Sequence, residues 1–293
     1  MRIVVAGASG FIGSALVPEL RTAGHDVRKL VRRAPISDGE YRWDPPAGII
    51  ADGALDGVDA VVNLCGSSLN GRWSDARKQA IRDSRIEPTE VLAEAVVRQG
   101  IASLCNASGV GYYGNTGDIA VDETAGEGAG FLAELCADWE QATKPAREAG
   151  ARVAVMRTGL VLSGGGGLLK VLKPLFRAAL GGKLGEGRQY MPWISLPDEV
   201  SAIRFVIEHP EISGPVNLCS PNPVTNAELT RALSRAVERP APWFVPKSAL
   251  RLVLGDAADE MALTSQRTLP GVLTGAGFGF RHTDLDAALA DVV

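Results

Sequence analysis

The chain begins Met1-Arg2-Ile3-Val4-Val5-Ala6 and passes at once into Gly7-Ala8-Ser9-Gly10-Phe11-Ile12-Gly13. A short apolar run that stops at a glycine reads as a buried strand. The apolar segment from Phe11 to Leu20 reads as the helix that follows it. Glycines at such a junction permit a tight turn and let backbone N–H groups approach a pyrophosphate. The third glycine lets helix and strand pack closely, and the helix N-terminus adds partial positive charge. The spacing is G-x-x-G-x-x-G, a relative of the familiar G-x-G-x-x-G turn. In a chain with 34 glycines the triplet alone is weak. Set between a strand and a helix, it makes nucleotide binding the leading expectation, with Gly7, Ser9, Gly10, Phe11, Ile12 and Gly13 as the cradle.

Strand-like apolar runs recur at 3–6, 27–31, 60–64, 103–106 and 153–157, separated by helical segments at about 11–23, 74–99 and 130–149. Continuous apolar strands alternating with helices predict a Rossmann-type α/β fold, a doubly wound parallel sheet covered on both faces. Ser74-Asp75 can cap the second of these helices and Gly100 can end it. After Arg157 the texture changes. A glycine run at 164–167 precedes an apolar helix at 168–180 and a loop at 181–189, and prolines become frequent. Further helices are expected near 197–208, 226–238 and 247–255. Residues 1–160 are therefore assigned to the cofactor domain, and 161–293 mainly to a smaller C-terminal substrate lobe, with some later segments returning to the first.

A net charge of -4 gives no electrostatic case for nucleic acid or an anionic membrane as partner. Cys65, Cys105, Cys136 and Cys219 are widely spaced without a C-x-x-C pair, which suits free thiols in a reducing cytoplasm. No uncharged apolar stretch approaches the ~20 residues of a membrane span, and the N-terminal run is too short for a signal peptide. With three histidines and no metal-ligand pattern, no metal is expected. The expected partner is a small-molecule substrate; a homodimer is compatible with the sequence.

An NAD site of this type places an acid at the end of the second strand, where it holds the ribose hydroxyls. Here that strand leaves through Arg32-Arg33, and the nearest acid, Asp26, lies at its other end. An arginine at the exit suits a 2′-phosphate, whose oxygens match its fork of donors. NADP(H) is preferred over NAD; a merely solvated basic turn is the bland alternative.

Residues 7–13, the strand exit Val61-Val62-Asn63-Leu64-Cys65-Gly66 and the stretch Ser108-Gly109-Val110-Gly111-Tyr112-Tyr113-Gly114 together resemble the extended short-chain dehydrogenase/reductases. Tyr41-Arg42-Trp43-Asp44-Pro45, Arg72-Trp73, Asp83-Ser84-Arg85, Cys136-Ala137-Asp138-Trp139-Glu140, Arg157-Thr158-Gly159 and Gly277-Phe278-Gly279-Phe280 are similar to their atypical "epimerase family" branch, which is nucleoside-diphosphate-sugar epimerase-like. The resemblance spans essentially the whole chain. It implies that Asn63, Leu64, Cys65 and Gly66 line the adenine side and that Arg157 lies by the cofactor. Arg85 could reach the pyrophosphate or simply occupy a solvated helix face.

Short-chain dehydrogenases typically use a Tyr-x-x-x-Lys pair on one helical turn, in which the lysine lowers the tyrosine pKa. No tyrosine here has a lysine four residues on. The corresponding helix carries Cys136 and Glu140, also i and i+4, and a carboxylate raises a thiol pKa instead of lowering it. Three readings stand. Cys136 or Glu140 performs altered acid/base chemistry with Tyr112 or Tyr113 as phenolic donor; the pair is structural; or the site binds cofactor without turnover. Ser108 is a further candidate, with alignment of the family serine to Gly109 instead as the alternative. Lys183, Arg188, Gln189 and Trp193 group donors and an aromatic in one glycine-rich loop and suit a phosphorylated or sugar-like substrate, such as a nucleotide sugar. The expected function is NADP(H)-dependent hydride transfer on a small carbonyl or hydroxyl compound, with reductase ranked above epimerase. The rival from another class is a non-catalytic NADP(H)-binding sensor or scaffold.

Overall fold

Alternate residues of the first strand, β1 (Arg2–Ala6), enter two different cores. Ile3 and Val5 pack with one apolar cluster and Val4 and Ala6 with another, all of them fully buried. A strand buried on both faces has no polar side to show, so its sequence is a continuous apolar run rather than an alternating one. The computed structural model, which describes residues 1–293, extends this strand into an eight-stranded sheet. The remaining strands are β2 (Asp26–Val31), β3 (Glu40–Asp44), β4 (Ile49–Ile50), β5 (Ala60–Asn63), β6 (Ser103–Gly109), β7 (Arg152–Thr158) and β8 (Gly214–Leu218). Their order is β8-β7-β6-β5-β1-β2-β3-β4, parallel throughout except for the short edge strand β4.

Helices α1 (Gly13–Thr22) and α6 (Leu196–Glu208) cover one face, through Leu16, Val17 and Leu20 against Val200, Ile203 and Val206. The other face is covered by α2 (Asp75–Gln99), α3 (Phe131–Gln141) and α4 (Lys144–Glu148). Leu92, Ala93 and Val96 of α2 and Ala146 of α4 pack there on Val61, Leu104 and Val155. Ser74 caps α2 by accepting the Arg77 amide at 3.2 Å, and Gly100 ends it in the left-handed conformation. The expected single helix over 130–149 is instead two, broken at residues 142–143, where Pro145 starts the second.

The smaller lobe holds α5 (Gly167–Arg177), α7 (Asn226–Ala236), α8 (Lys247–Leu254) and α10 (Leu285–Val292), with short strand pairs and its own core around Leu162, Leu169, Trp193, Leu233 and Leu289. The chain crosses between lobes repeatedly. α6 and β8 belong to the main sheet unit, and so do Leu273 of the short helix α9 (Gly271–Gly275) and Phe278. No helix is long and apolar enough to cross a membrane.

Candidate cofactor and catalytic site

Gly7 leaves β1 with φ +80°, and a Cβ there would lie 2.7 Å from the Leu64 backbone. A Cβ on Gly13 would lie 2.3 Å from the Gly7 oxygen, so helix and turn approach as only glycine allows. Within the turn the Gly10 amide donates to Gly7 and the Ser14 amide to Gly10, each at 2.9 Å, whereas the amides of Phe11 and Ile12 have no acceptor in the chain. These open N–H groups at the start of α1 have the form of an anion cradle. Ser9 is exposed beside them, and the Phe11 ring packs against Gly166 and Gly167, tying the turn to the smaller lobe.

The two arginines at the β2 exit have different fates. Arg33 is clamped by Glu40, donating to both carboxylate oxygens at 2.8 and 2.9 Å, and Lys29 joins at 2.9 Å. These donors hold the Glu40 carboxyl well below its ordinary range. Arg32 is exposed, takes part in no ion pair, and lies close enough to Cys65 to favour its thiolate. Burial outweighs that influence and pushes the Cys65 thiol up to about 12.

Behind the strand exit, Asn63 is fully buried and donates to Thr89 and Asn106, both at 2.8 Å, while its oxygen accepts the Cys65 amide. Its amide shapes the turn from within the buried network. Arg85 is likewise buried, donating to the carbonyls of Ile81 and Ser67 and standing against Gly66 and the Trp139 ring. Desolvation lowers it to about 10. It props the 65–68 loop from a buried position, so the alternative of a solvated helix face does not hold.

At the carboxyl end of β6 and β7 lies a single polar network. Arg157 donates from Nε and Nη2 to the two Glu140 oxygens, each at 2.8 Å, and from Nη1 to the Tyr113 hydroxyl at 2.9 Å. Ser108 donates to Glu140 at 2.7 Å, and Tyr113 donates onward to Asn217 at 2.8 Å. Arg157 is 3% exposed. Its guanidinium, expected by the cofactor, spends its donors on Glu140 and Tyr113. The Tyr112 ring lies on the guanidinium, 3.5 Å from its Cζ, and the phenol makes no hydrogen bond within the chain.

Burial raises Tyr113 to about 12, and burial with the Glu140 carboxylate raises Cys136 to about 11. Cys136 is a thiol packed beside Gly109 and Gly111, unsuited to act as a nucleophile. Tyr113 is a buried strut. Of the five catalytic candidates, only Tyr112 keeps a polar group that is half-exposed and without a partner in the chain.

The substrate-lobe candidates do not converge. Trp193 is fully buried in the lobe core, its indole donating to Asn222, which corrects its placement at a ligand. Gln189 donates to the carbonyls of Leu184 and Ala262, so its amide closes a turn. Lys183 and Arg188 are exposed, the latter 3.6 Å from Glu186. Sequence spacing gave no signal for Asn217, Glu199 or Glu260, which join the neighbourhood from distant segments.

The profile of the NAD dependent epimerase/dehydratase family matches residues 3–219. The chain belongs to this family. Residues 245–292 match a domain of unknown function, DUF1731. An epimerase family protein of Mycobacterium bovis is 55% identical over 98% of this chain and 96% of its own length. The human epimerase family protein SDR39U1 (isoform 2), whose crystal structure contains NADPH, superposes with a TM-score of 0.91 at 31% identity, covering 100% of this chain and 99% of that one. A nucleoside-diphosphate sugar epimerase of Corynebacterium glutamicum gives a TM-score of 0.82 at 41% identity, over 99% of this chain and 57% of that one. Membership of the family thus extends through both lobes.

Proposed function

We propose that this family member binds NADP(H) and transfers hydride to or from a small carbonyl or hydroxyl compound at the carboxyl ends of β6 and β7. The observation that carries the reading is the unpaired Arg32 beside a glycine turn with two open amides, while its neighbour Arg33 is locked by Glu40. Phe11 and Ile12 N–H groups hold the pyrophosphate, and Arg32 takes the 2′-phosphate with its planar fork. The NADPH in the human relative supports the same choice. NADP(H) supplies or accepts the hydride at nicotinamide C4. Tyr112 delivers or removes the proton on substrate oxygen, its ring held in place by packing over the Arg157 guanidinium. Ser108, buried and donating its proton to Glu140, helps to hold that carboxylate beside the site. The name of the Corynebacterium relative supports a nucleotide-sugar substrate. Reduction ranks above epimerisation, because epimerisation needs proton transfer in both directions from a site that lacks the usual pair.

A specific feature favours the second reading, a cofactor-holding sensor or scaffold. Both Glu140 oxygens and the Tyr113 phenol are engaged within the network, so that of the Tyr112–Tyr113 pair only the Tyr112 phenol is unbonded. The two readings separate when purified protein is incubated with C4-deuterated NADPH and nucleoside-diphospho-ketosugars or simpler ketones. Deuterium in the alcohol product, lost in Tyr112→Phe with NADPH binding retained, supports the enzyme. NADPH bound but never consumed supports the sensor.

A further inference from the structure

The whole-chain charge of -4 conceals a segregation that the fold makes spatial. Residues 164–185 contain four cations and residues 239–255 three, with no acid in either stretch. The two stretches are joined: the strand Gly182–Leu184 pairs in parallel with Trp243–Val245, and the Trp243 indole donates to the Ala179 carbonyl at 2.7 Å. Only Arg251 among these cations is in an ion pair, with Asp259. The same two stretches expose large apolar side chains. Trp243 is 56% exposed and Phe244 53%, and on α8, which buries none of its residues, Leu252 is 77% and Val253 69% exposed. Leu175 on α5 and Leu180 just beyond its end are exposed as well.

We propose that this face, built from α5, the Trp243–Val245 strand and α8, docks on the surface of an anionic lipid bilayer. Lysines and arginines interleaved with tryptophan, phenylalanine and leucine on short amphipathic helices are the chemistry that lies in a headgroup layer, cations at the phosphates and apolar side chains beneath them. A second copy of this chain is a poor occupant, because a symmetric contact through this face would oppose like charges. A nucleic acid matches the charge but not the exposed aliphatic side chains, since its interfaces are polar. The docking is peripheral and leaves the glycine turn and the β6–β7 site in the main unit.

The test uses the full chain and large vesicles of phosphatidylcholine, alone or with added phosphatidylglycerol. Trp43, Trp73, Trp139 and Trp193 are at most 7% exposed, so Trp243 is the reporter. Sedimentation only with the anionic vesicles is expected, relieved by salt, with tryptophan emission quenched by brominated acyl chains in wild type and not in Trp243→Phe. An anionic leaflet contributes about fivefold in partitioning per cation, so Arg177→Gln with Lys247→Gln lowers it about 25-fold. Leu252→Ser with Val253→Ser weakens binding to the same vesicles by removing the apolar anchor. Circular dichroism checks that each variant stays folded. Absence of sedimentation, equal binding to neutral vesicles, or partitioning unmoved in both double variants would overturn the proposal, as would capture by acidic peptides without vesicle binding.

Discussion

Glu199 stands on the first turn of α6 with its side chain fully buried, one oxygen accepting from Thr158 at 2.9 Å and the other unpartnered. Burial disfavours the charged form and pushes its pKa up to about 8 from an ordinary 4.5. The folded state therefore holds a proton that the unfolded chain has released between these values. Stability from this group is greatest below about 4.5 and is lost as pH rises to about 8, after which the loss is complete. Glu199→Gln keeps a hydrogen-bonding head that cannot ionise. Its stability relative to wild type is expected to rise across that window by an amount on the order of a few kcal/mol, read by urea unfolding at a series of pH values. Parallel stability–pH curves for the two proteins would show that the carboxyl is not held neutral.

At the scale of elements, the β6–β7 site depends on where α3 lies, since α3 carries Cys136 and Glu140. The start of α3 is held from outside its own sequence. Glu260, within the π-helical turn Ala258–Ala262 of the C-terminal region, accepts the Phe131 and Leu132 amides, each at 3.1 Å. A carboxylate there satisfies two open N–H groups and complements the helix dipole. Glu260→Ala is expected to cost about 1 kcal/mol and to speed hydrogen exchange at the first-turn amides of α3. Unchanged exchange at those amides would refute the clamp.

The same contact explains what the sequence makes legible. Strands and the glycine turn follow from local pattern: apolar runs for a sheet buried on both faces, and three glycines where Gly7, Gly10 and Gly13 backbones close on one another. Ser74 and Gly100 announce their caps in the same way. Glu260 meets α3 across 129 residues of sequence and Tyr113 meets Asn217 across 104, so no spacing encodes either partner. Trp193 was assigned to the ligand because it sits in a glycine-rich stretch. Its strand, Trp193–Ser195, is three residues long, too short for a periodicity to reveal that it is core. The position of Arg32 at the strand exit was legible, while the capture of Arg33 by Glu40 needed the fold.

For the whole molecule, the two lobes are interleaved rather than strung in series. α6, β8 and Phe278 return to the main sheet after the chain has entered the smaller lobe. His282 adds a buried tether, bonded to Ser195 at 2.9 Å and to Asp291 at 3.0 Å, while Asp198 accepts its amide. Ser195 is fully buried as the cap of α6, so this serine–histidine–aspartate set fastens the C-terminal segment and offers no nucleophile. Such a frame fixes the glycine turn, the Arg32 exit and the Arg157 network relative to one another. We propose that this frame selects NADP(H). Titration of wild type and Arg32→Asp with NADPH and NADH, followed by nicotinamide fluorescence, decides it. Wild type is expected to prefer NADPH, and the substitution to weaken NADPH by about tenfold or more while leaving NADH nearly unchanged, the loss of a charge-assisted bond of about 1.5–3 kcal/mol with added repulsion. Equal weakening of both dinucleotides, or no preference in wild type, would contradict it.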